Sequence, residues 1–259
     1  MNEVKAPSSA LHHPVPAVKL INVTKKFGDV TILDNVNLEV PANKIVTILG
    51  FSGAGKSTLL KHLLGLLFPT SGEVQVLGRS LAELSPVELR EFRKNFGVLF
   101  QQGALFDYLT AFENVAFPLR EFSDLTEEEI AEKVSQLLTQ VNLAERSFHL
   151  YPAELSGGMR KRVGLARSLA LDPRIMLYDE PTTGLDPITT KMVNDLIVNT
   201  AARCQERGLT SIIISHDVKA SLAISDLVAF LGHGKIVEYL PANEFRQSSN
   251  PLVQEFINL

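Results

Sequence analysis

Residues 50–57 read GFSGAGKS and fit the pattern G-x-x-x-x-G-K-[ST]. Residues of these types at this spacing suit one task, gripping a polyphosphate. Gly50, Gly53 and Gly55 let the backbone curl so that successive N–H groups face a β-phosphate. Lys56 adds a charge that can reach the β- and γ-phosphates, and Ser57 offers a hydroxyl to Mg2+. Ser52, Ala54 and Thr58 complete the stretch expected around the phosphates. A glycine-rich turn is common in itself, and the pattern arises by chance in roughly one chain in a hundred. Its flanks make it specific. "KIVTIL" before it is continuously apolar and β-branched, as a strand buried on both faces is. "LLKHLLGLL" after it repeats leucine at helical spacing, so a helix beginning near Ser57 directs its positive end at the phosphates.

A second group lies at 175–180, "IMLYDE", where an apolar strand ends in two carboxylates. Asp179 is suited to hold Mg2+ directly or through water, and Glu180 to polarise an attacking water. Strands ending in acidic residues are common, so the phosphate loop upstream carries much of this reading. "SIIISHD" ends another buried strand at His216. A lone histidine is usually structural, but at the carboxyl end of a core strand it can reach a γ-phosphate. At 155–162, "LSGGMRKR", Ser156 is a natural helix N-cap, and Gly157 and Gly158 leave backbone N–H groups uncovered. This helix is expected to run to about Ala170.

The elements that position these groups can be read coarsely. "VKLINVTKKF" and "NVNLEV" alternate apolar and polar residues, as half-buried antiparallel strands do, and "EVQVLG" at 73–78 reads as a further strand. Pro69 and Gly72 are expected to end the helix after the phosphate loop. From about 100 to 170 the chain is mainly helical. Thr126 and Glu129 form a capping-box pattern ahead of an apolar stripe of Ile130, Val134, Leu137, Leu138 and Val141. From 171 onward buried strand, helix and buried strand return, followed by two short strands around a Gly-containing turn and a short C-terminal helix. The expected architecture is α/β: a phosphate-loop core with an antiparallel β subdomain and a helical insert at about 102–170. Residues 18–259 make one domain, preceded by a frayed arm at 1–17.

The order of the motifs is more specific than any one of them. Phosphate loop, "FQ", "LSGGM", "IMLYDEP", "GLDP" and "SHD" follow one another in a sequence that resembles the ATP-binding-cassette (ABC) ATPases, from about residue 18 to the end of the chain. The resemblance implies that Phe27 stacks on adenine, that Gln101 senses Mg2+ and the γ-phosphate, that Asp186 lies at a dimer seam and that His216 is a switch histidine. It also implies ATP and Mg2+ as ligands, and a homodimer or a pair with a similar subunit. Ser156, Gly157 and Gly158 of one subunit then close over the ATP held by the other. Phe27 stands where tyrosine is frequent, and Met159 where glutamine is usual; stacking and backbone donors survive both changes.

Cassettes of DNA repair or translation carry long coiled-coil inserts, zinc cysteines or two fused cassettes, features not read in this sequence. "FQQGALF", "ENVAFPLRE", "LSGGMRKRVGLAR", "DEPTTGLDPIT" and "SSNPLVQEFINL" look like the ATPase subunits of MCE-linked (Mla-type) phospholipid transporters. That resemblance implies a multi-pass permease and an MCE lipid-binding protein as partners, with room for a small accessory subunit, at the cytoplasmic face of the inner membrane. A methionine-type amino-acid importer is the alternative.

Totals agree with this reading. The chain has 259 residues, 45% hydrophobic and 21% charged, with a net charge of −4 at pH 7, so no basic field suggests nucleic acid. Its single cysteine, Cys204, excludes an internal disulfide and reads as inert. No apolar run reaches the roughly 18–20 residues of a membrane span, and the N-terminal segment is no secretory signal, so a soluble protein docking on a membrane partner is expected. One stretch resists assignment. "LFQQGALFDYLTAFENVAFPLRE" at 99–121 reads neither as strand nor as helix and is expected to be the joint into the insert. Gln101 would face the nucleotide and Gln102 have no direct role. Leu105, Phe106 and Tyr108 would supply apolar groups to a permease groove, about half of them packing inward instead.

Overall fold

The computed structural model of the chain describes residues 15–203 and 208–258. The expectations for residues 1–14 and Cys204 lie outside the described residues.

A hairpin comes first. β1 (Val18–Phe27) and β2 (Val30–Val40) pair antiparallel, with Val18 opposite Val40 and Phe27 opposite Val30. Their alternating pattern buries Val18, Leu20, Val23, Val36, Leu38 and Val40 on one face, as period-2 geometry requires. β3 (Ile45–Leu49), buried throughout, leads into the glycine-rich loop and α1 (Lys56–Leu63). β4 (Ser71–Val76) and β5 (Arg79–Ser80) complete an antiparallel sheet of order β2-β1-β4-β5.

α2 (Pro86–Phe92) leads to β6 (Phe96–Leu99). Three helices follow, α3 (Ala111–Phe122), α4 (Glu127–Gln140) and α5 (Gly157–Leu169). Then come β7 (Ile175–Asp179), α6 (Pro187–Arg203), β8 (Thr210–Ser215), α7 (Val218–Ile224), β9 (Leu227–Gly232), β10 (Lys235–Pro241), α8 (Ala242–Phe245) and α9 (Pro251–Ile257). The second sheet has the order β10-β9-β3-β8-β7-β6 and is parallel except at its β10 edge. No described helix is long and apolar enough to cross a membrane.

The core has three parts. Val18, Val23, Ile48, Leu59, Leu63 and Ile212 join the two sheets through α1. Val115, Val134, Leu138, Val163, Tyr178 and Ile197 join α3, α4 and α5 to β7 and α6. Leu49, Phe230, Phe245 and Phe256 seat the C-terminal helices. The stripe read from the sequence, Ile130 to Val141, is buried as expected, and the Thr126–Glu129 capping box is formed.

Three local readings need correction. α1 stops at Leu63, well before Pro69, because Gly65 adopts φ 61° and hands the Leu66 N–H back to the Lys61 carbonyl. The indecisive stretch holds a complete helix, α3, started by a Thr110–Glu113 capping box and continuing through Pro118. α2 and β6, for which no element was read, are real; α2 also begins with a capping box, Ser85–Glu88.

Candidate active site

Four adjacent strands, β3, β8, β7 and β6, end on one edge of the parallel sheet. Leu49 pairs with Ser215, Asp179 with Ile214 and Leu99 with Tyr178. The glycine-rich loop, His216, the Asp179–Glu180 pair and Gln101 follow directly from these ends, so sheet order brings together groups scattered along the chain.

The loop's glycines serve different ends. Gly55 has φ 104°, which side chains with a Cβ rarely adopt, and an added Cβ would sit 2.9 Å from Leu33 Cδ2. Gly50 lies so close to the Leu231 carbonyl that a Cβ would collide with it. Ala54 packs into the core, its N–H donating to the Phe51 carbonyl at 3.2 Å, while Ser52, Gly53 and Ser57 are exposed and Thr58 is half-buried. Lys56 Nζ bends over the loop and donates to the carbonyls of Gly50 (2.6 Å) and Phe51 (3.0 Å). Burial pulls the Lys56 pKa down, opposed by the Glu180 and Asp179 carboxylates.

Glu180 departs from ordinary backbone geometry, with φ 50°, and its N–H donates to the Ile214 carbonyl at 2.9 Å. A non-glycine residue in this region is held against a local cost. The carboxylate is fixed twice at Oε2: Thr183 Oγ1 donates at 2.9 Å and His216 Nδ1 lies at 2.8 Å. With Nδ1 as donor, Nε2 of this largely exposed ring is the free acceptor. Burial raises the Asp179 pKa first, the Glu180 charge raises it further, and Lys56 opposes both.

Ser57, Asp179 and Gln101 offer a hydroxyl, a carboxylate and an amide oxygen, a donor set suited to a hard cation. Asp179's disfavoured charge is one such a cation would relieve. Among the described residues no cluster of three or more His, Cys, Asp or Glu could hold a metal alone. Mg2+ typically takes one or two protein oxygens together with phosphate oxygens.

Gln101 and Gln102 are both exposed in the turn after β6. Phe27, at the tip of the hairpin, is 52% exposed, with Lys25 Nζ 5.1 Å from its ring centroid. Ser156 caps α5, its Oγ accepting from the Met159 N–H at 3.3 Å. A Cβ on Gly157 would meet nothing closer than Arg160 at 4.0 Å, but one on Gly158 would come within 2.7 Å of Thr189 Cγ2. Thr189 belongs to the turn held by Asp186, whose Oδ1 accepts from the N–H groups of Ile188 and Thr189 and whose Oδ2 accepts from Thr189 Oγ1 at 2.5 Å. These bonds hold the exposed Asp186 carboxyl below its ordinary range.

Two residues of this neighbourhood escaped the sequence reading. Lys161 lies inside the very motif that was quoted. It is 5% exposed, and its Nζ donates to the carbonyls of Pro181 (2.7 Å) and Thr183 (2.8 Å). Asn114, fully buried, donates through Nδ2 to the carbonyls of Phe106, Leu109 and Thr110 and accepts at Oδ1 from the Phe106 N–H. A lysine five residues beyond a helix cap and an asparagine inside an apolar helix were the available signals.

A family model described as ABC transporter matches residues 33–183. The chain belongs to the ABC transporter family. It is 41% identical to the "Probable ribonucleotide transport ATP-binding protein mkl" of Mycobacterium leprae, over 93% of this chain and 69% of that protein. Against the Mycobacterium tuberculosis counterpart the match spans 66% of that protein. It is 43% identical to the "Intermembrane phospholipid transport system ATP-binding protein MlaF" of Haemophilus influenzae, over 93% of this chain and 89% of that one. It is 42% identical to the "Methionine import ATP-binding protein MetN 1" of Salmonella typhimurium, over 93% and 70%. Among solved structures, a dimeric ATP-binding cassette in a post-hydrolysis state, bound to ADP and Pi, superposes with a TM-score of 0.79 at 35% identity, covering 87% of this chain and 98% of that one. The fold is therefore the α/β cassette expected from the motif order, and the protein is an ATP-binding, ATP-hydrolysing cassette of a transport system.

Proposed function

We propose that this cassette forms a homodimer around two ATP molecules and drives phospholipid movement through a membrane permease with an MCE lipid-binding partner. It would act from the cytoplasmic face of the inner membrane. The observation that supports hydrolysis at this site is the convergence of the glycine-rich loop, Asp179–Glu180, His216 and Gln101 at four neighbouring strand ends. The cargo reading is supported by 43% identity to MlaF together with Met159 in the signature. The 42% identity to a methionine importer favours amino-acid import as the second reading.

In the proposed mechanism Lys56 leaves the Gly50 and Phe51 carbonyls for the β- and γ-phosphates, and the exposed N–H groups of the loop cradle them. Phe27 stacks on adenine. Ser57, Asp179 and Gln101 would hold Mg2+, which would supply charge neutralisation at the phosphate oxygens. Glu180, oriented by Thr183 and His216, polarises the attacking water, and His216 follows the γ-phosphate. The turn at Ser156, Gly157 and Gly158 caps the ATP of the opposite subunit, with Asp186 at the seam. ATP binding then closes the dimer, and loss of phosphate opens it. Around Tyr108, 73% exposed, the segment after Gln101 would receive the permease, while half-buried Leu105 and Phe106 pack inward.

Two measurements test this. Glu180→Gln is expected to trap an ATP-dependent dimer in size-exclusion chromatography and to lose hydrolysis; a normal turnover rate would sink the assignment of the base. Co-purification from membranes followed by mass spectrometry tests the partners. A multi-pass permease with an MCE protein supports lipid transport, and an amino-acid permease selects the second reading.

A further inference from the structure

Lys161 is a buried cation that no step above uses. It sits on α5, the helix whose first turn is the signature, and reaches across to the segment that follows β7. Its two acceptors, the carbonyls of Pro181 and Thr183, bracket the turn that starts at Glu180. Within that turn the Thr183 N–H donates to the Glu180 carbonyl at 3.3 Å, and Thr183 Oγ1 donates to Glu180 Oε2 at 2.9 Å. A chain of short polar contacts therefore runs from α5 through Lys161 Nζ to Thr183 and on to the carboxylate.

We propose that Lys161 is a positioning residue for Glu180, holding the 181–183 turn so that Thr183 keeps the carboxylate in its reactive orientation. This rests on the proposed role of Glu180 as the base. Two observations favour a role beyond filling space. A lysine buried to this extent costs desolvation, visible in its lowered pKa, and a hydrocarbon of the same length would avoid that cost. Glu180 also sits at φ 50°, a conformation that persists only where its surroundings fix it, and the Lys161 bonds act on the next residues along. Because α5 begins with the turn assigned to the opposite ATP, the same contact couples the signature helix to the base of its own subunit.

The test compares steady-state ATP hydrolysis of the full chain with Lys161→Met, Lys161→Gln and Glu180→Gln. Lys161→Met, which keeps the length and removes the donors, is expected to lower kcat about tenfold or more with the KM for ATP changed less than about twofold. Lys161→Gln, whose amide carries two N–H donors, is expected to return kcat to within about threefold of the parent. A folded Lys161→Met with undiminished kcat overturns the proposal, and so does a loss that glutamine does not recover. Should the methionine variant fail to fold, Thr183→Val takes its place: it removes the hydroxyl that donates to Glu180 Oε2 and is expected to lower kcat with little change in KM, and unchanged kcat overturns the proposal. If Glu180→Gln hydrolyses normally, the base assignment fails; if it behaves as expected while Lys161→Met is silent, only the positioning role fails.

Discussion

Gly158→Ala should destabilise the chain through one identifiable collision. The new Cβ would lie 2.7 Å from Thr189 Cγ2, while the other Thr189 side-chain atoms stay at 3.9 Å (Cβ) and 4.0 Å (Oγ1). Thr189 cannot swing away freely, because its Oγ1 is bonded to Asp186 Oδ2. Overpacking of this kind costs roughly 1–3 kcal/mol, and replacing a helical glycine returns about 0.5–1 kcal/mol. A net loss of about 0–2.5 kcal/mol remains, equivalent to a fall in melting temperature of up to roughly 10 °C for a chain of this size. Thr189→Ser removes Cγ2 alone and keeps the hydroxyl on Asp186. The double variant should therefore regain the lost stability, with a coupling of about 1–3 kcal/mol in a double-mutant cycle followed by thermal or urea unfolding. Gly157→Ala is the internal control: its Cβ meets nothing closer than Arg160 at 4.0 Å, so its stability should not fall. Additive effects of Gly158→Ala and Thr189→Ser would refute the reasoning, since the clash involves only the atom that serine lacks.

Asn114→Ala removes the side-chain hydrogen bonds to the Phe106 N–H and to the Phe106 and Leu109 carbonyls, while the Thr110 carbonyl keeps its bond from the residue 114 N–H. It should cost about 3 kcal/mol and lower the melting temperature by roughly 6–12 °C; a loss under about 1 kcal/mol contradicts the account. Lys56→Ala is expected to abolish binding of a fluorescent ATP analogue while the chain still melts cooperatively, and retained binding would remove Lys56 from the phosphate site. Burial and the Glu180 charge raise the Asp179 pKa above 3.8, so its ionised form destabilises the fold at neutral pH. That penalty is lost as pH falls through the folded-state value towards 3.8. Asp179→Asn should accordingly melt higher than the parent at neutral pH, lose that advantage as pH approaches 3.8, and hydrolyse ATP poorly; a lower melting temperature at neutral pH would contradict it.

The sequence was most informative where short-range chemistry dictates conformation. The strand–loop–helix around Lys56, the alternation of β1 and the Thr126 cap were each legible because their determinants lie within a few residues of one another. It misled where one residue type was given too much weight. The stretch at 99–121, punctuated by Gly103 and Pro118, reads as neither strand nor helix, yet α3 continues through Pro118, anchored by its capping box and by buried Val115 and Leu119. Pro69 reads as the end of α1, yet Gly65 had already ended it. Lys161 sat inside a motif quoted for its backbone donors, and nothing in its spacing reveals carbonyl acceptors twenty residues further on.

The active site divides the same way. Motif order names the candidate residues, but what brings them to one edge is non-local. β3 and β8 are neighbours although the whole of α3, α4 and α5 lies between them in sequence, and β7 is inserted between β8 and β6. Only that order brings the loop after Leu49, the pair after Tyr178 and the histidine after Ser215 to one edge. The helical segment between β6 and β7 can then move Gln101 and the signature turn without breaking a strand of the parallel sheet. Asn114 and Arg167 hold Phe106 and Gly103 within that segment, and Lys161 ties α5 to the turn beside Glu180. Both ties meet on or beside α5. A displacement of that helix must therefore be felt at the segment after Gln101 and at Glu180 together, so weakening Lys161 should disturb hydrolysis while leaving the Asn114-bound segment in place, and weakening Asn114 should do the reverse.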